Sequence, residues 1–192
     1  MHLSPKVFLG ILLLVFGVGL GVGVAHFSPT GLVIQPTTQT PSSLEYDSIQ
    51  SAFCPSPICE SLPLSAIHAS QSKIDVAMYS FTHPQLAQAL MDAHERGVVV
   101  RVLLERQQAG GSFSQLQNLR DAGLSVRIDA NPSYMHHKFA VIDQTVVLTG
   151  SMNWSRNGVG ENNENVLVIH STALNARFAQ EFETLWHQSE NN

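Results

Sequence analysis

The stretch that most constrains this chain is Tyr134-Met135-His136-His137-Lys138-Phe139-Ala140-Val141-Ile142-Asp143, closed by Thr149-Gly150-Ser151-Met152-Asn153. Four apolar residues follow Lys138, as in a strand buried on both faces. Asp143-Gln144 suits a turn, though without the glycine that marks the tightest hairpins. Thr145–Thr149 is the expected return strand. Alternate side chains of a strand share a face, so His136 and Lys138 point at one target. Gly150 lets the backbone turn sharply, and Ser151 and Asn153 again lie two apart. The predicted product is a hairpin holding an imidazole, an ammonium, a hydroxyl and a carboxamide at one end. His137 faces the other way and reads as a packing or surface residue.

Those four groups suit a phosphodiester. An imidazole can attack phosphorus or move protons, and Lys138, Ser151 and Asn153 can hold the non-bridging oxygens as charge builds. Trp154 is a candidate for stacking on a base, with core packing as the alternative. Arg156, Lys73 and Arg106 are candidates for a substrate groove, against a background of ordinary surface charge. The formal net charge of −5 excludes a protein that binds polyanions through bulk charge. Any affinity for phosphate must come from a local basic patch.

The motif His-x-Lys-x4-Asp followed by Gly-Ser-x-Asn resembles that of the phospholipase D superfamily, and most of all its single-motif bacterial endonuclease branch. The resemblance extends to Ile74-Asp75-Val76-Ala77-Met78-Tyr79-Ser80-Phe81-Thr82, to Leu86 and Leu90, and to Glu164. It runs from Phe53 to His187. It implies a phosphohistidine mechanism in which His136 of one subunit attacks and His136 of a second subunit protonates the leaving oxygen. The larger members carry two motif copies in one chain. His-x-Lys occurs once here, so the resemblance implies a homodimer with the active site at its two-fold interface. Two lysines would carry the charge, and no metal or other cofactor is expected. Asp143 belongs to the motif and is kept as a candidate site residue. Its odd spacing from His136 gives it a structural role, and Glu164 is preferred as the group that orients the imidazole. Asn162 and Asn163 lie beside the site, where they can cap a loop.

The rest of the chain alternates strands and helices. Helices are expected at Glu60–Ser70, Pro84–Arg96, Phe113–Ala122 and Leu174–His187. Strands are expected at Lys73–Ser80, Val98–Leu104, Leu124–Ile128 and Asn165–Ile169, with a loop from Arg156 to Gly160. This pattern predicts an α/β fold, a mixed β-sheet flanked by helices on both faces, as the phospholipase D-like resemblance also implies.

Val7–Ala25 is a run of nineteen uncharged residues preceded by Lys6. It is long enough to span a bilayer and also suits a secretory signal cut after Gly23-Val24-Ala25. Residues 1–30 are therefore assigned to a membrane anchor or signal peptide, 31–52 to a Pro/Ser/Thr-rich linker, and 53–192 to the nuclease-like domain. Lys6 predicts a cytoplasmic N-terminus with the domain outside, on the periplasmic side, or released there if the segment is cleaved. In that compartment Cys54 and Cys59, the only cysteines, are expected to form a disulfide. A zinc site lacks ligands, and two buried thiols are the remaining alternative.

The expected activity is metal-independent endonucleolytic hydrolysis of DNA, single-stranded and also duplex, with RNA as a further substrate. The alternatives are a phospholipid phosphodiesterase of the phospholipase D or cardiolipin hydrolase type, and a non-catalytic nucleic-acid-binding module at the envelope.

Overall fold

The computed structural model describes residues 48–189. The expected anchor and residues 31–47 of the expected linker lie outside the described residues. In chain order the elements are β1 (Ser48–Cys54), α1 (Ile58–Ala69), β2 (Lys73–Met78), α2 (Pro84–Glu95), β3 (Val99–Leu104), α3 (Arg106–Ala109), α4 (Leu116–Asp121), β4 (Ser125–Ile128), β5 (Lys138–Ile142), β6 (Val146–Gly150), α5 (Arg156–Gly160), β7 (Glu164–His170) and α6 (Thr172–Gln188).

The strands form one seven-stranded sheet in the order β1-β7-β6-β5-β2-β3-β4. β2, β3 and β4 are parallel, and every other neighbouring pair is antiparallel. Period-two alternation sorts the side chains between two cores. Ile74, Val76 and Met78 of β2 face a core shared with α1, α2, α4 and α5. Ala77, Leu103, Phe139 and Val141 face the other side, covered by Phe178, Phe182, Leu185 and Trp186 of α6. Both faces are therefore helix-covered, as expected, and the central strands read as near-continuous apolar runs for that reason.

One polar cluster lies under α6. Asp75 is 2% exposed and accepts two hydrogen bonds from Arg101, at 2.7 and 2.9 Å. Lys73 Nζ lies 2.9 Å from the same carboxylate, and Glu183 of α6 pairs with both cations. The Arg101 guanidinium lies over the rings of Phe182 and Trp186. Burial acts to lower the Arg101 pKa, but its hydrogen bonds to Asp75 and Glu183 outweigh burial and raise it. Lys73 is thus committed to this cluster, at the end of β2 far from the candidate site, and is no part of a substrate groove.

Four elements differ from expectation. The domain does not begin at Phe53: residues 48–52 extend β1, which pairs with β7 along its whole length. The strand sits at the sheet edge and buries only Ala52 and Cys54, so its polar composition reads like a tether. Arg156–Gly160 is a short helix rather than a loop. Ser155 caps it by accepting from the Gly158 N–H at 3.0 Å, and Gly158 lies so close to the Asn153 carbonyl that a side chain there would collide. The four-residue α3 was not foreseen, and the helix expected at Phe113–Ala122 is confined to Leu116–Asp121.

Candidate active site

The strand directions bring one set of termini together. The carboxyl ends of β1, β2, β3 and β6 and the amino ends of β5 and β7 share one rim of the sheet. His136 precedes β5 at this rim, Lys138 begins β5, Ser151 and Asn153 follow β6, and Glu164 begins β7. His136, Lys138, Ser151, Asn153 and Glu164 are thereby gathered on one edge, carried by three adjacent strands.

The backbone before β5 keeps strand character. Tyr79 N–H donates to the His137 carbonyl at 2.8 Å, extending the β2–β5 pairing past its last formal pair, Met78 with Lys138. Alternation therefore carries back through 137 and 136. His137 lies on the α6 side, 3.5 Å from Glu181 and edge-on to Phe139. His136 turns the opposite way and is exposed. Its ring meets Tyr79, with centroids 4.4 Å apart and planes at 63°. Lys138 Nζ lies 4.8 Å over the same Tyr79 ring and donates to the His136 carbonyl at 2.9 Å. Burial lowers the Lys138 pKa, while the Glu164 carboxylate nearby acts to raise it.

Gly150 makes the turn into the next part of the site. Its φ of +147° is open to glycine and rarely to other residues. A side chain there would collide with the Asn165 carbonyl and lie 2.8 Å from its Oδ1. This close approach lets Asn165 hold Ser151 on two sides. Ser151 N–H donates to Asn165 Oδ1 at 2.9 Å, and Asn165 N–H donates to Ser151 Oγ at 3.1 Å. The Ser151 hydroxyl then donates to Glu164 Oε2 in a short hydrogen bond. Glu164 Oε1 accepts from Asn162 at 3.3 Å. Within the protomer, Glu164 is thus bonded to Ser151 and Asn162, and not to His136, whose orienter it was expected to be. Among the described residues, Asn153 Oδ1 and His83 Nδ1 are the buried side-chain polar atoms without a hydrogen-bond partner. A buried carboxamide with an unused end has capacity left for a ligand. A crevice of about 300 Å³ opens beside Ser151 and Glu164, lined also by Phe53, Cys54, Asn163 and Asn165.

The remaining predicted residues are placed elsewhere. Asp143 closes β5 at the opposite rim, five residues from Lys138 and so roughly 17 Å away at about 3.4 Å per residue. Its backbone adopts φ of +52°. Its carboxylate accepts from Ser72 N–H at 2.8 Å, Ser72 Oγ at 2.7 Å, and the N–H groups of Gln71 and Lys73, both at 3.1 Å. Burial acts to raise the Asp143 pKa, but these bonds together hold it below the usual value. Its work is to tie the hairpin turn to the α1–β2 loop. Trp154 is only 3% exposed and packs edge-on against Phe81 at 5.1 Å, so it offers no face to a base. Core packing takes it instead. Arg156 is exposed at the start of α5, and its charge helps lower the pKa of buried His83, after the larger effect of burial. Cys54 and Cys59 are joined in a disulfide that closes the β1–α1 turn beside the crevice.

Three site neighbours escaped the sequence reading. In the sequence Tyr79 is one residue of a strand; the β2–β5 pairing sets its backbone opposite His137, and its ring reaches His136 and Lys138 on either side. Asn165 was read only as the start of a strand. Phe53, read as a domain start, is 76% exposed at the crevice mouth.

Chemically, the rim offers an accessible imidazole, a half-buried ammonium and a hydroxyl–carboxylate pair, which can bind an anion and exchange protons with it.

Comparison with known proteins agrees with this arrangement. Residues 64–186 match the family described as cardiolipin synthase, PLD-like domain. A mitochondrial cardiolipin hydrolase from Homo sapiens is 41% identical over 125 residues, 65% of this chain and 50% of that protein. The chain thus spans about half the length of the curated relatives of this kind. A phospholipase D from Rickettsia bellii is 31% identical over 177 residues, covering 86% of this chain and 88% of that one. Among solved structures, Nuc from Salmonella typhimurium, a phospholipase D family member, superposes with a TM-score of 0.72 at 30% identity, covering 74% of this chain and 96% of that one. With its mixed sheet, its single His-x-Lys-x4-Asp motif and the family match over residues 64–186, the chain belongs to the PLD-like domain family of the phospholipase D superfamily.

Proposed function

We propose that this protein is a phosphodiesterase that cleaves nucleic acid, single-stranded DNA first, through a phosphohistidine on His136. The observation that carries the reading is the open rim: an exposed imidazole beside a half-buried ammonium, next to a crevice where Ser151, Asn163, Glu164 and Asn165 meet Phe53 and Cys54. A backbone phosphate can lie across such a rim without entering a deep channel. Nuc, similar in fold and in sequence over 96% of its length, supports the same substrate class.

The working unit in this proposal is a two-fold dimer. A neutral His136 attacks phosphorus, and the bond to the leaving sugar oxygen breaks. The protonated His136 of the partner subunit gives its proton to that oxygen. Water then attacks the phosphohistidine and loses its proton to the partner's His136, freeing the first imidazole and a phosphomonoester. The two Lys138 ammonium groups hold the non-bridging oxygens, with Ser151 and Asn153 at their flank. One imidazole acts as a neutral nucleophile and the other as a protonated acid, so turnover needs both forms at once and a bell-shaped pH–rate profile follows. An N-terminal anchor would hold this dimer at a membrane, facing the periplasm.

A second reading, hydrolysis of a phospholipid diester, is favoured by the names of the human and Rickettsia relatives and by the exposed Phe53 and Tyr134 near the rim. One experiment separates the two. The full-length chain is incubated in EDTA with labelled single-stranded and duplex oligonucleotides, and in parallel with cardiolipin-containing vesicles. Oligonucleotide cleavage lost in His136→Ala supports the nuclease. Lipid turnover with intact oligonucleotides supports the second reading, and activity that needs a divalent ion refutes the mechanism.

A further inference from the structure

We infer that Tyr79 is a positioning residue of this site, a shared aromatic platform that holds the His136 imidazole and the Lys138 ammonium on the same side of the rim. The inference rests on the phosphodiesterase reading above and extends it to a residue outside the motif. Three contacts converge on one ring. The His136 ring meets it edge-to-face at 4.4 Å, at the short limit of aromatic pair contacts. Lys138 Nζ sits over its face at 4.8 Å, the geometry of a cation–π contact. Tyr134, in the loop leading to His136, meets it at 6.1 Å and 85°. The Lys138 ammonium also donates to the His136 carbonyl, so imidazole, ammonium and ring form one packed unit.

The platform is itself held. Gln108 Nε2 donates to the Tyr79 hydroxyl at 3.4 Å. Gln108 belongs to α3, whose first turn is capped by Glu105: the Gln108 N–H donates to Glu105 Oε2 at 2.8 Å. Glu105 is 1% exposed. The four-residue helix after β3 therefore acts as a brace that sets the tilt of the Tyr79 ring from its hydroxyl end. This gives α3 a purpose, since it contributes only Ala109 to the core. An exposed imidazole on a loop would otherwise sample several rotamers. Lys138 would lose the ring that favours its charged form.

The test uses the full chain with Tyr79→Leu, Tyr79→Phe and Gln108→Leu, beside His136→Ala. Turnover is followed on bis(p-nitrophenyl) phosphate and on a labelled single-stranded oligonucleotide in EDTA. Tyr79→Leu is expected to lower kcat by roughly 10²-fold, the scale of a misplaced reacting group, with KM changed far less and the melting temperature close to wild type. Tyr79→Phe keeps the ring and recovers most of the lost rate. Gln108→Leu matches Tyr79→Phe. A second measurement needs no turnover: NMR of the His136 ring protons and the Lys138 ammonium. Tyr79→Leu should shift the His136 resonances and lower the Lys138 pKa further, whereas Tyr79→Phe should leave both near wild type. Unmoved resonances, or equal rates in Tyr79→Leu and wild type, overturn the platform. Full activity in His136→Ala overturns the phosphodiesterase mechanism instead, and the NMR result still decides the platform.

Discussion

Asp143 is the residue for which motif and geometry make opposing predictions, and its replacement tells them apart. If it acts in the chemistry, losing it should stop turnover. The structure predicts a folding defect instead. Its carboxylate accepts four hydrogen bonds, three from the consecutive backbone N–H groups of residues 71–73 and one from Ser72 Oγ. Bonds to a buried charged acceptor are worth about 1.5–3 kcal/mol each. The site is partly exposed, and screening reduces that to about 0.5–1 kcal/mol. Asp143→Asn keeps one acceptor oxygen but turns an amino group towards the Gln71 N–H, so about 1–2 kcal/mol is expected. Asp143→Ala loses all four bonds and adds the strain of a left-handed backbone at +52°, for a total of about 3–6 kcal/mol. At about 2–4 °C per kcal/mol for a domain of this size, alanine should lower the melting temperature by roughly 6–24 °C. The folded-state pKa is depressed, so this stability is present above the unfolded-state pKa of about 3.9 and is lost as pH falls through the lower folded value. Wild type and Asp143→Asn should therefore differ at neutral pH and converge in strong acid. Thermal melts across pH measure this, and kcat is read at a temperature where both variants are folded. A variant that melts like wild type but turns over a hundredfold more slowly would refute the structural assignment.

Two further outcomes follow from the fold. Arg101→Leu strips a 2%-exposed carboxylate, Asp75, of its bidentate partner. Lys73 stays 2.9 Å from that carboxylate, so chemical denaturation should show a loss of about 2–3 kcal/mol, below the cost of a wholly unpaired buried charge, and a double Asp75→Leu/Arg101→Leu variant should recover part of it. Gly150→Ala forces a methyl group against the Asn165 carbonyl at a φ of +147°. It should cost about 1–3 kcal/mol in a melt and, by moving Ser151 away from Glu164, slow turnover measured well below the transition.

The parts of the molecule that follow from short-range pattern were legible in the chain. The apolar run 139–142 announced a strand covered on both faces, and strand parity alone separated His136 from His137. Positions fixed by partners distant in sequence were not. Tyr79 and His136 are brought together by the pairing of β2 with β5, which no local pattern encodes. Glu164 stands in line with Ser151 because Asn165 pins that serine, again a contact between strands. Trp154 beside a candidate residue looked available for stacking, but the bridge from Phe81 to Trp154 draws it inward. At Ser48–Ala52 the polar composition of a sheet edge imitated a linker, since an edge strand with one exposed face carries few apolar side chains.

The β5–β6 hairpin is fastened at its turn. Asp143 ties it to residues 71–73, and the buried Asn175 side chain donates to the Ile142 and Val146 carbonyls at 3.3 and 2.8 Å. At its opposite end the polar contact with α6 is the solvent-facing pair of His137 and Glu181, 3.5 Å apart. The buried polar bonds thus gather at the bend, while the reactive end is held by contacts nearer to solvent. A chain built this way can let its reactive tip adjust to an incoming ligand while amide protons near the bend remain among the last to exchange with solvent.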